Sequence, residues 1–438
     1  MKRTEQLLNY MTEHLEDYLL NLQQAVLLES PTEGAPTELA ACRLYFEELF
    51  RSIGFHVERV PSLDPRFGTH LLMEYGSLQT PAAAGSDAET GSAAQPAANA
   101  DKSVAAAQPA VPNRLLIGGH YDTVHKLGAF GEEPWRVEGD KIIGPGVLDM
   151  KGGDVMVWMA VKALQDLHLM PENAQILFFL TSDEEAGSYG SSQLYKSLAS
   201  RSKATFIVES SVGVEGDYIG GLKCGRFGRG NYTFTAHGIP CHSGIDPTAG
   251  ESGLLELSKQ AQALTDLTYF NKINPATGNP ETVTVGCTAL HSGEAGWPTV
   301  PGDGTLTIDA RYSTMALAEE YDSRFRNLTS FNPNVSITVS GGIEKPPFDK
   351  DLPGNKTLQA LAIDTGAEFG VEMHPGVVRG GSDGNFTAST GCPTLDGMGV
   401  TGGAVHQLGE YIRISHLPFR LAFLAEMMLR VLEDSALR

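Results

Sequence analysis

Phe178-Phe179-Leu180-Thr181-Ser182-Asp183-Glu184-Glu185-Ala186-Gly187-Ser188 joins an apolar run to three consecutive acids and a glycine turn. Asp and Glu are rarely buried unless they are paired or bound to a metal. The stretch therefore reads as a buried parallel strand delivering carboxylates to the mouth of a sheet, where open α/β folds place their sites. Taken alone, the same acids also suit a solvated loop after a strand. The surrounding sequence decides between these readings.

Upstream, Arg114-Leu115-Leu116-Ile117-Gly118-Gly119-His120-Tyr121-Asp122-Thr123-Val124 is a second apolar run, ending in His-x-Asp. His120 is a candidate metal ligand, and Asp122 is spaced to accept its other ring N–H and so fix the tautomer. For a lone His, a structural hydrogen bond is the plainer alternative. Gly144-Pro145-Gly146-Val147-Leu148-Asp149-Met150-Lys151-Gly152-Gly153-Asp154 is a Gly-rich turn leading into a helix expected over 155–167. It lacks the strand-GxGxxG-helix spacing of a dinucleotide site, and Asp149 would repel phosphate. Its glycines suit a backbone that crowds a site. Downstream, Ala204 to Val208 is another apolar run, ending in Glu209-Ser210-Ser211, and much later Gly402-Gly403-Ala404-Val405-His406-Gln407-Leu408-Gly409-Glu410 holds a second His in a Gly-rich loop.

Four apolar runs thus end in, or lead to, His120, Asp149, Glu184/Glu185 and Glu209. In a doubly wound sheet such strand ends converge on one crevice, and His with several carboxylates is the ligand set of zinc or a similar first-row ion. With His406 added, five ligands are available for two metals.

At 438 residues the chain is long for one core, and roughly 100 to 200 residues per domain suggests two or three domains. Its 41% hydrophobic, 19% charged and 8% aromatic residues are ordinary for a globular protein. A formal charge of −21 argues against nucleic acid or an anionic membrane as partner. Cys42, Cys224, Cys241, Cys287 and Cys392 are scattered, with no Cys-x-x-Cys pair, so neither a disulfide framework nor a thiolate zinc site is expected. The N-terminal stretch is amphipathic rather than a signal segment, and no run of about 18 apolar residues could span a membrane. These features place the chain in the cytoplasm.

Leu7, Leu8, Met11, Leu15, Tyr18, Leu19, Leu22 and Val26 fall at helical spacing over residues 5–28, and Ser30-Pro31-Thr32-Glu33-Gly34 breaks the pattern. A helix over about 37–53 precedes short strands at His56 to Val60 and Leu71 to Tyr75. From 78 to 113 the composition shifts to Ala, Gln, Pro, Ser, Gly and Asp, a low-complexity insertion expected to be disordered.

In the order and spacing of His120, Asp149, Glu184-Glu185, Glu209 and His406, the chain resembles the aminoacylase, glutamate carboxypeptidase and succinyl-diaminopimelate desuccinylase family of dinuclear metal hydrolases, and most of all its glutamate carboxypeptidase branch. The resemblance implies two zinc ions, with cobalt or manganese as alternatives. His120 and Glu209 would hold one, Glu185 and His406 the other, and Asp149 would bridge them. It also implies that Glu184 is the general base, that Asp122 is the acid behind His120, and that the Asp149-Met150 peptide is cis.

The implied fold is an α/β doubly wound, mostly parallel catalytic domain interrupted by a smaller α+β lid. Residues 1–222 and 344–438 would form the two parts of the catalytic domain and 223–343 the lid, through which family members often form homodimers. The lid sequence agrees. Arg229 to His237, Val283 to Leu290 and Thr305 to Tyr312 read as strands, the last with period-2 alternation, and Leu254 to Leu267 and Glu319 to Leu328 read as helices. His242 matches a His that polarises the scissile carbonyl when the lid closes or from a partner subunit. Arg311 matches an Arg that grips the substrate's carboxylate, with an ion pair to Asp309 as the structural alternative. Gly380-Gly381-Ser382-Asp383-Gly384 matches a loop near the substrate's C-terminal end, where Gly381 and Ser382 are contact candidates. Two positions depart from the family pattern: Pro298 and Ser252 stand where related enzymes usually carry Asn.

The implied reaction releases a C-terminal amino acid from a small peptide or N-acyl amino acid. An N-acetyl or N-succinyl deacylase of the same architecture is the alternative. A non-catalytic binding protein on this scaffold would be expected to have lost Glu184 or a ligand, and all are present.

Overall fold

A computed structural model describes residues 1–76, 113–212 and 218–434. The low-complexity stretch lies, apart from Asn113, outside these residues. The larger half is built on a six-stranded sheet in the order His56–Val60, His70–Tyr75, Gln175–Thr181, Arg114–His120, Ala204–Ile207 and Thr394–Leu395. The last four strands are parallel, and the first two form an antiparallel pair along one edge. Parallel strands covered on both faces read as unbroken apolar runs. Leu115 and Ile117 accordingly pack toward the helices Gly152–Asp166 and Leu417–Glu433, while Leu116, Leu177 and Phe179 pack with Tyr195, Leu198 and Phe386 on the opposite face. The fold is therefore the expected doubly wound α/β sheet.

The two strands that next join this sheet after Arg114–His120 pair on opposite sides of it, Gln175–Thr181 on one and Ala204–Ile207 on the other. The winding direction reverses at that strand, so its carboxyl end opens into the crevice where such sheets bind ligands. His120 is its last residue.

The N-terminal stripe forms two helices, not one. Arg3–Glu13 and Leu15–Leu27 meet at His14 (φ −106°, ψ 18°). The first packs against Leu417–Glu433 and the second against Gly152–Asp166, so the apolar face changes direction between two supports. Both segments keep helical spacing, which is why the periodicity runs through the break unmarked.

Residues between Gly228 and Lys345 form an antiparallel sheet in the order Tyr269–Ile273, Pro280–His291, Gly304–Tyr312, Gly228–His237, Ser336–Lys345. Its inward residues alternate along the central strands, Tyr232, Phe234 and Ala236 beside Leu306, Ile308, Ala310 and Tyr312, and they form a core of their own with the helices Gly253–Thr265 and Met315–Arg326. Ser252 caps the first helix, its Oγ accepting the Leu255 N–H at 3.2 Å, a cap worth about 1 kcal/mol. A smaller sheet, Gly402–Gly403, Tyr411–Arg413, Lys141–Ile143 and Arg136–Glu138, ties both ends of the His406 loop to the segment leading into Asp149. Among the described residues, no helix is long and apolar enough to cross a membrane.

Candidate metal centre

Asp149 is the centre of the site. Its Oδ1 lies 3.2 Å from His120 Nε2, and its Oδ2 lies 3.1 Å from His406 Nε2. Glu209 Oε1 is 3.9 Å from His120 Nε2, and Glu185 Oε2 is 3.3 Å from His406 Nε2. The two oxygens of one carboxylate thus face two separate His/Glu pairs. The Asp149-Met150 peptide is cis. His406 adopts a left-handed backbone (φ 61°), and its side chain is about half exposed, whereas His120 is fully enclosed.

The charges oppose one another strongly. Burial, together with the charge of Asp149, pushes the Glu185 carboxyl up to about 8 and raises that of Glu209, although Lys223 and Arg226 counteract the latter. Burial would also raise Asp149, but hydrogen bonds from His120 and His406 hold it well below the usual carboxylate range. His406 is pushed up to about 11 by Asp149 and Glu185.

Residues behind the cluster fix its backbone. His120 Nδ1 lies 3.0 Å from the Asp122 carbonyl oxygen and 3.4 Å from its Oδ1. The Asp122 carboxylate accepts the Glu184 and Glu185 N–H groups, each at 3.3 Å, and the Thr32 hydroxyl at 2.8 Å. It therefore orients the acidic loop as well as the imidazole. Glu410, fully buried, accepts the N–H groups of Leu148 and Asp149 at 2.8 and 3.0 Å through Oε1, and its Oε2 meets His125 Nε2 at 2.7 Å. Lys151 Nζ donates to the carbonyls of Ala25 and Leu28, at 3.0 and 2.8 Å, and so satisfies the C-terminal end of the second helix. Neither Glu410 nor Thr32 stands out in the sequence, because each acts through partners far along the chain.

Glu184 is set apart from its neighbours by Lys345, whose Nζ donates to Glu184 Oε1 at 2.7 Å. Asp183 closes the following turn by accepting the Gly190 N–H at 2.6 Å and the Ser191 hydroxyl at 2.7 Å. Ser382 is fully buried and donates to Asp396 Oδ2 at 2.6 Å. The carbonyls of Gly380 and Gly381 accept from Arg226 at 3.1 and 3.2 Å, and Arg226 Nε donates to Asp396 at 2.6 Å. A buried Arg226–Asp396 pair thus shapes the Gly380 to Ser382 loop.

His242 and Arg311 lie in the antiparallel half. His242 is exposed, and its Nδ1 accepts the N–H groups of Gly244 and Ile245, both at 3.1 Å. Arg311 Nε donates to Asp309 at 2.6 Å, and Arg229 shares that carboxylate at 2.7 Å. Both side chains are held within their own half, apart from the His120–Asp149–His406 cluster.

The model of peptidase family M20/M25/M40 matches residues 116–430, which spans every member of the cluster. The chain belongs to this family. Among its relatives, carboxypeptidase G2 of Pseudomonas sp. (strain RS-16) is 28% identical over 332 residues, covering 72% of this chain and 73% of that enzyme. A succinyl-diaminopimelate desuccinylase of Cupriavidus necator is 26% identical over 319 residues, covering 68% and 77%. In fold, the YXEP protein of Bacillus subtilis, a dinuclear metal binding peptidase of family M20, superimposes with a TM-score of 0.63 over 95% of this chain and 99% of its own, at 12% identity. As an M20 member the chain is a metal-dependent hydrolase.

Its own residues fit such a centre. Ligand atoms of His120, Asp149 and Glu185 lie within 4.8 Å of one another, as do those of His120, Glu184 and Glu209. The second group includes Glu184, which accepts the Lys345 ammonium at 2.7 Å, whereas Glu209 lies 3.6 Å from both Lys223 and Arg226. Glu185 Oε1 is buried with no hydrogen-bond partner among the described residues, which is costly unless a cation takes it. Divalent ions would also relieve the crowding that drives Glu185 and Glu209 toward their neutral forms.

Proposed function

We propose that the chain is a dinuclear zinc hydrolase that releases a C-terminal amino acid from a small peptide or N-acyl amino acid. The observation that carries this reading is the division of the Asp149 carboxylate between two His/Glu pairs. In the proposal His120 and Glu209 hold one ion, His406 and Glu185 the other, and Asp149 both, with cobalt or manganese as functional substitutes. Ions bound there would acidify a water and polarise the scissile carbonyl.

Glu184, with Oε1 engaged by Lys345, uses Oε2 to take the proton of the attacking water and return it to the leaving amine nitrogen. Arg311 exchanges Asp309 for the substrate's terminal carboxylate, a bidentate partner of the same geometry. His242 donates to the carbonyl oxygen when the lid closes or from a partner subunit, and the loop carrying Gly381 and Ser382 borders the released residue. We assign residues 223–343 to this lid. The separate core of the antiparallel sheet, whose strands run from Gly228 to Lys345, supports a lid of nearly this extent, and we infer a homodimer formed through it. The similarity to desuccinylases keeps N-acyl amino acid deacylation as the second reading.

Side-by-side assay of dipeptides, folyl-glutamate, and N-acetyl and N-succinyl amino acids, each with zinc, cobalt or manganese, tests the assignment. Preferred release of a C-terminal residue carrying a free carboxylate is expected. Preference for N-acetyl or N-succinyl substrates regardless of that carboxylate would favour the deacylase instead.

A further inference from the structure

The Ser336–Lys345 strand forms one edge of the antiparallel sheet, and its register against Gly228–His237 shifts between Ile343 and Lys345. Such a bulge re-aims the side chains beside it. Here two consecutive side chains reach across to the metal-binding half. Glu344 accepts the Tyr189 hydroxyl at 3.2 Å and lies 3.3 Å from Arg229, while Lys345 donates to Glu184 at 2.7 Å. Lys345 is buried, and a buried ammonium is stable only when paired. Its stem runs over Gly381, where an added methyl would come within 3.0 Å of Lys345 Cδ.

We propose that Lys345 is a positioning residue for the proton carrier: it fixes Oε1 of Glu184, leaves Oε2 to exchange the proton, and ties that orientation to the placement of the lid. The inference rests on Glu184 being the base, as argued above. Polar contacts connect the same strand end to the substrate side of the lid, because Glu344 meets Arg229, Arg229 meets Asp309, and Asp309 holds Arg311. A substrate carboxylate that draws Arg311 off Asp309 would therefore disturb the network whose end carries Lys345.

The test is a double-mutant cycle of Lys345→Met and Glu184→Gln, with Lys345→Arg as the conservative variant, assayed on whichever dipeptide or N-acyl amino acid of the panel is turned over fastest. Lys345→Met is expected to keep its metal content and KM while kcat falls about 10- to 100-fold, the range for removal of a group that orients a catalytic one. Lys345→Arg should recover most of kcat, and Lys345→Met should add little to Glu184→Gln because the two act as a unit. Wild-type kcat in Lys345→Met beside an inactive Glu184→Gln would overturn the positioning role alone, as would a change confined to KM. An active Glu184→Gln would instead remove the base assignment on which the role depends. If Lys345→Met does not fold, Lys345→Gln removes the ammonium while keeping a polar end group. A reduced kcat at constant KM then supports the role, and an unchanged kcat overturns it.

Discussion

Replacing Asp396 by Asn probes how the metal site is supported from beneath. Asp396 is fully enclosed and Arg226 is 4% exposed. Its carboxylate accepts Arg226 Nε at 2.6 Å, Arg226 Nη2 at 3.1 Å and the Ser382 hydroxyl at 2.6 Å. Asn keeps one acceptor oxygen and turns the other position into a donor, so a donor of Arg226 or Ser382 faces another donor and the guanidinium loses its counter-charge. Leaving such an ion buried without its hydrogen-bonded partner costs about 3–5 kcal/mol. Glu209, 3.6 Å from Arg226 Nη2, would draw the released guanidinium toward itself, so metal affinity should fall as well, by about 10- to 100-fold. Urea unfolding monitored by circular dichroism gives the first quantity, and titration with zinc against a competing chelator the second. Arg226→Met with Asp396→Leu, which removes both charges, should be clearly more stable than either single replacement. A single-mutant loss below about 1 kcal/mol, or a double variant as unstable as the sum of the two singles, would refute the paired-ion account.

Burial holds the His70 imidazole down to about 4, from 6.5, with Nδ1 accepting the Ser182 N–H. The unfolded chain then binds more protons than the native one between those values, so stability falls as pH drops through that window, by roughly 3 kcal/mol in all. His70→Asn should flatten the pH dependence of the unfolding free energy between pH 7 and 4 by that amount, and an unchanged slope would show that His70 does not control it. Gly153→Ala should cost about 1–3 kcal/mol by overpacking, because the new Cβ would sit 1.9 Å from the Val208 carbonyl oxygen and push the helix start off the segment that leads into Glu209. A thermal melt and zinc titration matching the wild type would contradict that close approach.

The candidate site residues were legible in the sequence because a buried parallel strand leaves an unbroken apolar signature, and the polar residues just past it mark the crevice. His120, Glu184, Glu185 and Glu209 all follow such runs. The antiparallel sheet was legible in the alternation of Thr305 to Tyr312, which is set by one buried and one open face. Other parts of the site carry no periodic signal. Arg226 and Asp396 are 170 residues apart and Asp149 and Glu410 are 261 apart, and nothing in either neighbourhood encodes the match. Nothing in the sequence marks Lys345, which reaches Glu184 only through the bulge beside it. Arg420 lies in the largely apolar Leu417–Glu433 helix, yet it is fully buried and donates to the carbonyls of Gly399 and Gly397 at 2.8 and 2.6 Å. Only the folded chain brings those acceptors within reach.

Metal stoichiometry and turnover of Glu184→Gln, measured on the same preparation, bear most directly on the central claim that two ions are held by five residues while Glu184 moves the proton. Two zinc equivalents per chain by elemental analysis, with kcat reduced about 10²- to 10⁴-fold, are predicted. Wild-type turnover in that variant, or a wild-type enzyme still active after chelation has removed its metal, would contradict it.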